Sequence, residues 1–406
     1  MSRFFADEKV NAERQPELDL LKALCIFGMI VVHVFLDLGD KVMPTFIDDY
    51  LTEFWGGATF MVCMGIGMRY MRNQSAKAYL TRGFGLLTIG QFVNICRNSI
   101  VNLIIYWITG ENFFIANSFL ILQADILTFA GLTFMLMALF KKLKLSDGVV
   151  LGIGVGMNLF ALIMWNLFPV LTAETPDFYF GYQMLGFFII TKAEAYFPLC
   201  CYFIFAAFGY FIGGYYPRVK DKNALSNRVM LICFPIALAY YVVRFTVDIP
   251  FLPELGTDLQ YNMKPTPDAL ATCLFTLGFI ALLYKFVLLI KGKIPKFVLH
   301  FSENINRYYI LSYMFILPVQ SLMIAIWGTR MPGKILPIVY SLLVTVACYF
   351  IIELNNKHLN IHITSLKGKK MIIFAVVVWV LTIAIALYAY PRIEEFANIW
   401  NDYLLP

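Results

Sequence analysis

Apolar stretches about twenty residues long recur along almost the whole chain, and this repetition fixes the class of fold before any single residue is weighed. A bilayer core takes about 20 mainly apolar residues per helix. On that measure eleven spans are expected, over residues 18–38, 51–70, 83–107, 119–140, 148–168, 196–215, 229–247, 268–290, 308–328, 335–353 and 371–391. Of the 406 residues 60% are apolar and 14% charged, with a mean hydropathy of +0.72; soluble domains carry about 45–50% apolar and about 25% charged residues. One globular core cannot hide that much apolar surface, so lipid is the solvent for most of the chain. Secreted disulfide scaffolds, coiled coils and disordered chains are excluded. The net charge of +6 does not point to nucleic acid, because the basic residues are dispersed between apolar spans and not clustered with stacking aromatics.

The expected architecture is an all-α integral membrane protein, a polytopic bundle of about eleven transmembrane helices. Residues 1–17 form a cytoplasmic segment, 18–391 a single transmembrane domain and 392–406 a short extracytoplasmic tail. Orientation comes from loop charge. Of the 32 Lys and Arg, one side of the predicted bundle takes only Lys41, Arg97, Lys192, Arg244, Lys264, Arg330, Lys334 and Arg392. Lys22 falls inside a span, and all the others lie on the opposite side, which places the amino terminus in the cytoplasm and the carboxyl terminus outside. The first apolar run carries Lys22 and His33 and has no small-residue cleavage site, so it is expected to be a retained helix in a cell-membrane protein. Asn94, Arg97, Asn98 and Asn102 interrupt the third span, and residues 178–192 are expected to form a short interfacial or re-entrant helix. All eight cysteines lie in or beside apolar stretches without C-x-x-C spacing and read as free thiols.

Ionisable residues at membrane depth are costly and mark function by default. The first span holds the richest set. Lys22 and His33 are eleven residues apart, which on helix geometry returns to about the same face roughly 16 Å further along. Asp19 lies three residues before Lys22 and Asp37 four after His33, so the four share one stripe. Asp37 is placed to hold the imidazole tautomer and raise its basicity. The plainer alternative has Lys22 and Asp37 snorkelling to the two surfaces while His33 bonds a neighbouring carbonyl. His300, His358 and His362 fall in predicted cytoplasmic segments, leaving His33 as the one imidazole in a predicted span. His358 and His362 have i, i+4 spacing but no third ligand beside them, and no metal is expected. Asp125, after Gln123, opens the fourth span, where it is placed to pair with Arg97 across the bundle as a site element or a structural ion pair. Arg244, Asp248 and Glu53 are expected at the interface, and the Gly65-x-Gly67 and Gly209-x-x-x-Gly213 spacings to permit close helix packing.

These residues resemble a family. The opening Arg14-x-x-x-Leu18-Asp19-Leu20-Leu21-Lys22-Ala23-Leu24, Lys22 followed after ten residues by His33, and Phe60 to Gly67 are similar to the first two spans of the membrane-bound acyltransferases. That group comprises acyltransferase family 3 and the heparan-α-glucosaminide N-acetyltransferase-like proteins. Arg82-Gly83 through Asn94, Ile121 to Gly131, and Tyr196 to Leu199 with Gly209 and Gly213 resemble the second branch, and Phe301 to Tyr309 looks like the family's entry to a late span, so that the likeness runs in order from about residue 14 to 315. Two departures stand out. Lys22 occupies the place of the usual arginine and gives up its bidentate grip on phosphate, and Ser312 stands where many members have a late histidine.

The resemblance implies an acyltransferase that moves an acyl group, most simply acetyl, from cytoplasmic acyl-CoA to a hydroxyl or amine of an extracytoplasmic sugar, glycan or lipid headgroup. Acetyl-CoA or another acyl-CoA is then the donor. Arg14, Asp19, Lys22 and Arg82 are the expected donor-binding residues, and the basic surplus on that side attracts an anionic thioester. His33 is expected to act as general base or acyl carrier and Asp37 to orient it. Asn94, Arg97, Gln123 and Asp125 are the expected substrate-binding residues, with Asn94, Gln123 or an amide at the second-span glycines as oxyanion donor. Lys41, Lys192, Glu194 and residues 248–267 are expected to line the acceptor side. A different class stays open: a proton-coupled transporter or flippase using His33, Asp37, Asp125 and Arg97 as a relay, against which stand the odd span count and the lack of an inverted repeat. The sequence is compatible with a monomer and with a homo-oligomer.

Overall fold

The computed structural model describes residues 4–40, 56–118, 121, 123, 125–168, 184–189, 196–255, 257–359, 366, 368–389 and 391. The expected positions Lys41, Glu53, Lys192, Glu194, His362 and Arg392, and most of 178–192, lie outside them. The described chain is helical, and among the described residues extended pairing is confined to isolated bridges between Phe5 and Val219 and between Gly39 and Met331. In chain order the helices are α1 (Pro16–Leu38), α2 (Gly57–Arg69), α3 (Ala76–Asn94), α4 (Val101–Thr109), α5 (Asn112–Ser118), α6 (Ile126–Lys142), α7 (Asp147–Leu167) and α8 (Leu199–Tyr215). They continue as α9 (Lys222–Thr246), α10 (Asp258–Met263), α11 (Thr266–Leu289), α12 (Lys296–Glu303), α13 (Ile305–Trp327), α14 (Ile335–Leu354) and α15 (Gly368–Ala389).

Eight described helical segments are long and apolar enough to cross a membrane: α1, α7, α8, α9, α11, α13, α14 and α15, of which α8 and α14 carry short helical extensions. Among the described residues the other three expected spans are largely helical as well. Helix α2 has 13 described residues and α6 has 17, while α3 carries Lys77, Arg82, Gln91 and Asn94 and runs through a π turn, Ile95–Ile100, into α4. The interruption expected in the third span is therefore a local rewinding and not a break: with no water to satisfy freed carbonyls, a membrane helix keeps its backbone paired.

Helix α8 sits at the centre. It is apolar on every face, which suits burial on all sides, and Cys201, Phe203, Ile204, Phe205 and Ala207 are fully buried. Outer helices instead leave large apolar side chains uncovered, as at Leu231, Leu238 and Phe245 on α9 and Val380 and Leu387 on α15. That is the surface lipid would cover. Because lipid tails are as apolar as leucine, helices in a bilayer are held by close backbone approach and buried polar pairs. The glycines supply the approach: a Cβ at Gly65 would run into the Ala206 carbonyl, and one at Gly209 into that of Val62, which locks α2 on α8. Gly83 and Gly131 do the same for α3 and α6, where a Cβ would meet backbone atoms at 2.7–2.9 Å. Gly213 joins the α2–α8 contact, whereas a Cβ on Gly67 would meet nothing within 4 Å. All eight cysteines are free thiols, six of them buried.

Gly209→Leu should force α2 and α8 apart and cost about 1–3 kcal/mol, the usual range for overpacking. Thermal unfolding of the detergent-purified protein should show a lower Tm for this variant and no loss for Gly67→Ala. Equal melting of the two would show that the contact does not limit stability.

Candidate functional site

Helix α1 ends its α-helical course at His33, and Val34–Leu38 wind as a π turn. A π turn is a costly local widening, found often at functional sites. It leaves carbonyls in need of donors, and α13 and the chain after it provide them: Gln320 donates to the Asp37 carbonyl at 2.7 Å and Arg330 to that of Leu36 at 3.3 Å. Within this fixed turn the Asp37 carboxylate lies 3.5 Å from His33 Nδ1, each side chain about a quarter exposed. The two groups are close, as their spacing implies, but the facing Asp37 Oδ2 makes no hydrogen bond among the described residues.

On the other side of the imidazole stands Tyr313 of α13, its hydroxyl 2.7 Å from His33 Nε2. Tyr309 lies one turn earlier on the same helix face and donates its hydroxyl to the Asp125 carboxylate. Arg97, in the π turn between α3 and α4, completes the cluster. It is fully buried, with Nη1 2.5 Å from Asp125 Oδ2, Nη2 2.7 Å from Gln123 Oε1, and its guanidinium 4.5 Å over the Tyr313 ring. Asp125 also caps α6 by accepting from the Ile126 amide. Asn94 spends its amide nitrogen on the carbonyls of Ile121 and Gln123, each at 3.1 Å, and Gln91 adds a bond to Ile121 at 2.6 Å. These bonds pin the chain that presents Gln123 and Asp125. Arg97 Nε and Asn94 Oδ1 are buried and have no hydrogen-bond partner among the described residues.

All four residues expected to touch substrate thus meet in one network, and Tyr313 joins that network to His33 and Asp37. Tyr309, Tyr313 and Gln320 do not stand out in the sequence. The available signal is a pair of tyrosines four residues apart in the span that opens with the Phe301-to-Tyr309 motif. Ser312, in place of the late histidine, is buried and bonds the Tyr309 carbonyl at 3.0 Å.

The four expected donor residues are arranged differently. Arg14 and Asp19 pair with each other, and both are latched to α12, Arg14 through Glu303 and Asp19 through Ser302. Lys22, half-buried and within electrostatic reach of Cys63 on α2, makes no hydrogen bond or ion pair among the described residues. Arg82 is exposed, and its guanidinium lies 5.3 Å over the Phe134 ring of α6, not against α1. Arg244, expected at the interface, is instead buried and paired with Asp268 of α11, which also accepts from Gln260 and Tyr240. The reason is that the next long helix opens with a carboxylate at the same depth, so the guanidinium finds a partner inside the protein. No three His, Cys, Asp or Glu side chains group as metal ligands among the described residues.

Residues 14–244, more than half of the chain, match the family model of the heparan-alpha-glucosaminide N-acetyltransferase catalytic domain. The chain belongs to this family. No curated protein and no solved structure matches it significantly. Membership in the heparan-alpha-glucosaminide N-acetyltransferase family, with eight apolar helices long enough to span a bilayer, makes this a multi-pass membrane protein of the acetyltransferase type. The matched segment holds His33, Asp37, Arg97, Gln123 and Asp125; Tyr309 and Tyr313 lie beyond it.

Removing one member of a buried ion pair strands the other, at a cost of about 3–5 kcal/mol, whereas replacing both with apolar groups is often neutral. Asp125→Leu should therefore lower the Tm sharply, and adding Arg97→Met should restore most of it. A double variant as unstable as the single one would show that Asp125 holds the fold chiefly through Tyr309 and the α6 cap.

Proposed function

We propose that this protein transfers an acyl group, most simply acetyl, from cytoplasmic acyl-CoA to a hydroxyl or amine of an extracytoplasmic sugar, glycan or lipid headgroup, in a cell membrane. The observation that carries the reading is the polar stripe of α1, in a chain of an acetyltransferase family. At one end is Lys22, a cation with no ion-pair partner among the described residues; at the other is His33, an imidazole flanked by a carboxylate and a phenol. Their separation of roughly 16 Å along the helix suits a long, thin donor arm whose charged end stays at the basic, cytoplasmic mouth. The excess of lysine and arginine in the loops on that side supports the orientation.

In this scheme Asp37 holds the proton of Nδ1, which leaves Nε2 as the basic nitrogen. As the acceptor oxygen or nitrogen attacks the thioester carbonyl, its proton passes to Nε2. The tetrahedral intermediate collapses with loss of the carbon–sulfur bond, and the proton returns from His33 to the departing thiolate. Negative charge builds on the former carbonyl oxygen, where a preorganised donor has most effect. Tyr313 is the donor we assign: its hydroxyl donates to Nε2 at rest and, once Nε2 carries the acceptor's proton, turns to the developing oxyanion, while the Arg97 guanidinium over its ring strengthens it by polarisation. The unpartnered Arg97 Nε and Asn94 Oδ1 remain to hydrogen-bond the acceptor, because buried polar atoms without partners are uncommon in finished interiors.

His33→Ala should abolish release of CoA thiol from acetyl-CoA in folded, purified protein; full turnover would remove His33 from the chemistry. Lys22→Ala should raise the donor KM more than it lowers kcat, the pattern of lost uniform binding. A wild-type protein that binds no acyl-CoA would shift the weight to proton-coupled transport through the same residues.

A further inference from the structure

The proposed donor contacts leave a question of charge: Arg14 is spent on two carboxylates and Arg82 lies on Phe134, so Lys22 alone would face a donor with three phosphate groups. Two adjoining cavities at the amino-terminal end of α1 supply what is missing. The larger, of about 280 Å³, is lined by Lys9, Arg69, Arg72 and Gln74 with Tyr70 and Pro217. The smaller, of about 170 Å³, shares Lys9, Arg69 and Gln74 and adds Arg218, Asp147 and Gly214. Among the described residues Arg69 alone of these cations is paired, with Asp147. The side chains of Lys9, Arg72 and Arg218 make no ion pair or hydrogen bond among the described residues.

The cavity wall is built and not a chance gap between loops. Residues 4–11 lie over the turn between α8 and α9, with backbone bonds from Ala6 to the Arg218 carbonyl at 2.7 Å, from Asn11 to that of Pro217 at 2.8 Å, and from Lys220 to that of Phe4 at 2.8 Å. These bonds hold Lys9 opposite the end of α2. There Arg69 is fixed over the Tyr210 ring, 4.1 Å from its centroid, and accepts a bond from Gln74 on its carbonyl. The cavity also adjoins α1: Tyr216, next to the lining residue Pro217, donates to Glu17 in the first turn of α1, and Lys222 neutralises that carboxylate at 3.0 Å. Tyr70 at the cavity lies seven residues beyond Cys63 of α2, whose thiol is within electrostatic reach of Lys22. That is about 10 Å of helix. A phosphate group in the cavity is therefore within one short arm of the polar stripe.

We propose that this cavity is a phosphate-binding site that takes the 3′-phosphate and diphosphate of the donor's nucleotide, with Lys9, Arg72 and Arg218 as the binding cations and Arg69 as a cation shared with Asp147. The assignment rests on the acyl-CoA reading above for the identity of the ligand. Guanidinium groups suit it because their fork matches phosphate oxygens in pairs. The same chemistry would also accept the headgroup of an anionic phospholipid, and the test separates the two sources.

The discriminating pair of donors is acetyl-CoA and S-acetylpantetheine, which share the thioester and the arm and differ in the phosphates. Wild type should prefer acetyl-CoA in kcat/KM, and Lys9→Gln combined with Arg72→Gln should cut that preference about a hundredfold, about tenfold for each of the two charge-assisted bonds lost. Arg218→Gln should act in the same direction. Independently of turnover, adenosine 3′,5′-bisphosphate should bind and thermally stabilise wild type, and more weakly the double variant. Equal use of both donors by wild type would overturn the site while leaving the transferase reading intact. If wild type transfers from neither donor, that reading fails, and bisphosphate binding decides the cavity alone: loss of binding in the double variant upholds a phosphate site, and no binding by wild type removes it. A donor preference unchanged in the variants, with stability that depends on phosphatidylglycerol in nanodiscs only when Lys9 and Arg72 are present, would assign the cavity to lipid and overturn the donor assignment.

Discussion

The buried pair of Arg97 and Asp125 joins more of this structure than any other polar contact at the site. In a bilayer interior a lone guanidinium or carboxylate is costly, so each must keep the other, and keeping it fixes three separate parts of the chain. Arg97 brings the π turn after α3, Asp125 brings the start of α6, and Tyr309, donating to the same carboxylate, brings α13. Tyr313 comes one turn later on α13, under the guanidinium and against His33. The imidazole is thus positioned by a partner it never touches. Apolar packing around the cluster excludes water but has little orienting power of its own, because lipid is no worse a solvent for leucine than protein is.

Two of the three described π turns sit at this cluster, one carrying Asp37 and one carrying Arg97. Widening a helix by one residue rotates the next turn about the axis, which aims a side chain that regular winding would send elsewhere. In α1 the bonds from Gln320 and Arg330 hold the turn in place, so its shape also depends on α13. The helix that presents the tyrosine to His33 is the one that stabilises the backbone presenting Asp37. Loss of α13 contacts would therefore disturb both sides of the imidazole together.

The class of fold is legible in the sequence because the bilayer demands long apolar runs, and the ionisable members of the site are legible because charge inside such runs is rare. His33 with Asp37, and Arg97 with Asp125, are visible on that ground and lie together in the structure. Tyr309 and Tyr313 are not, since a tyrosine in an apolar span is ordinary and gives no sign of where its hydroxyl points. The π turns leave no trace for a related reason: rewinding depends on which carbonyls find donors across the bundle, a tertiary matter. Arg244 misleads because a helix-end arginine usually snorkels, and only the opening of α11 reveals Asp268 as its partner. The expected donor set shows the limit of likeness in short motifs, for Arg14 and Asp19 form a latch to α12 and Arg82 lies over the Phe134 ring, which leaves Lys22 as the member of that set with neither an ion pair nor a ring contact among the described residues.

That division of labour has a physical logic. A permanent ion pair is a poor place to receive an anion, because the arriving charge must displace a carboxylate already in contact. Arg14 paired twice can hold α12 against the mouth of α1, which shapes an opening without binding at it. Lys22, Lys9, Arg72 and Arg218 carry no such commitment among the described residues. A cation without a carboxylate partner can receive an anion without first giving one up. The deep cluster reverses the rule: there Arg97 is matched by Asp125 inside the bundle, and His33 lies beside Asp37. The proposed transfer, which admits an anion at one end and moves a proton at the other, would need both kinds of environment, and α1 is the helix that runs between them.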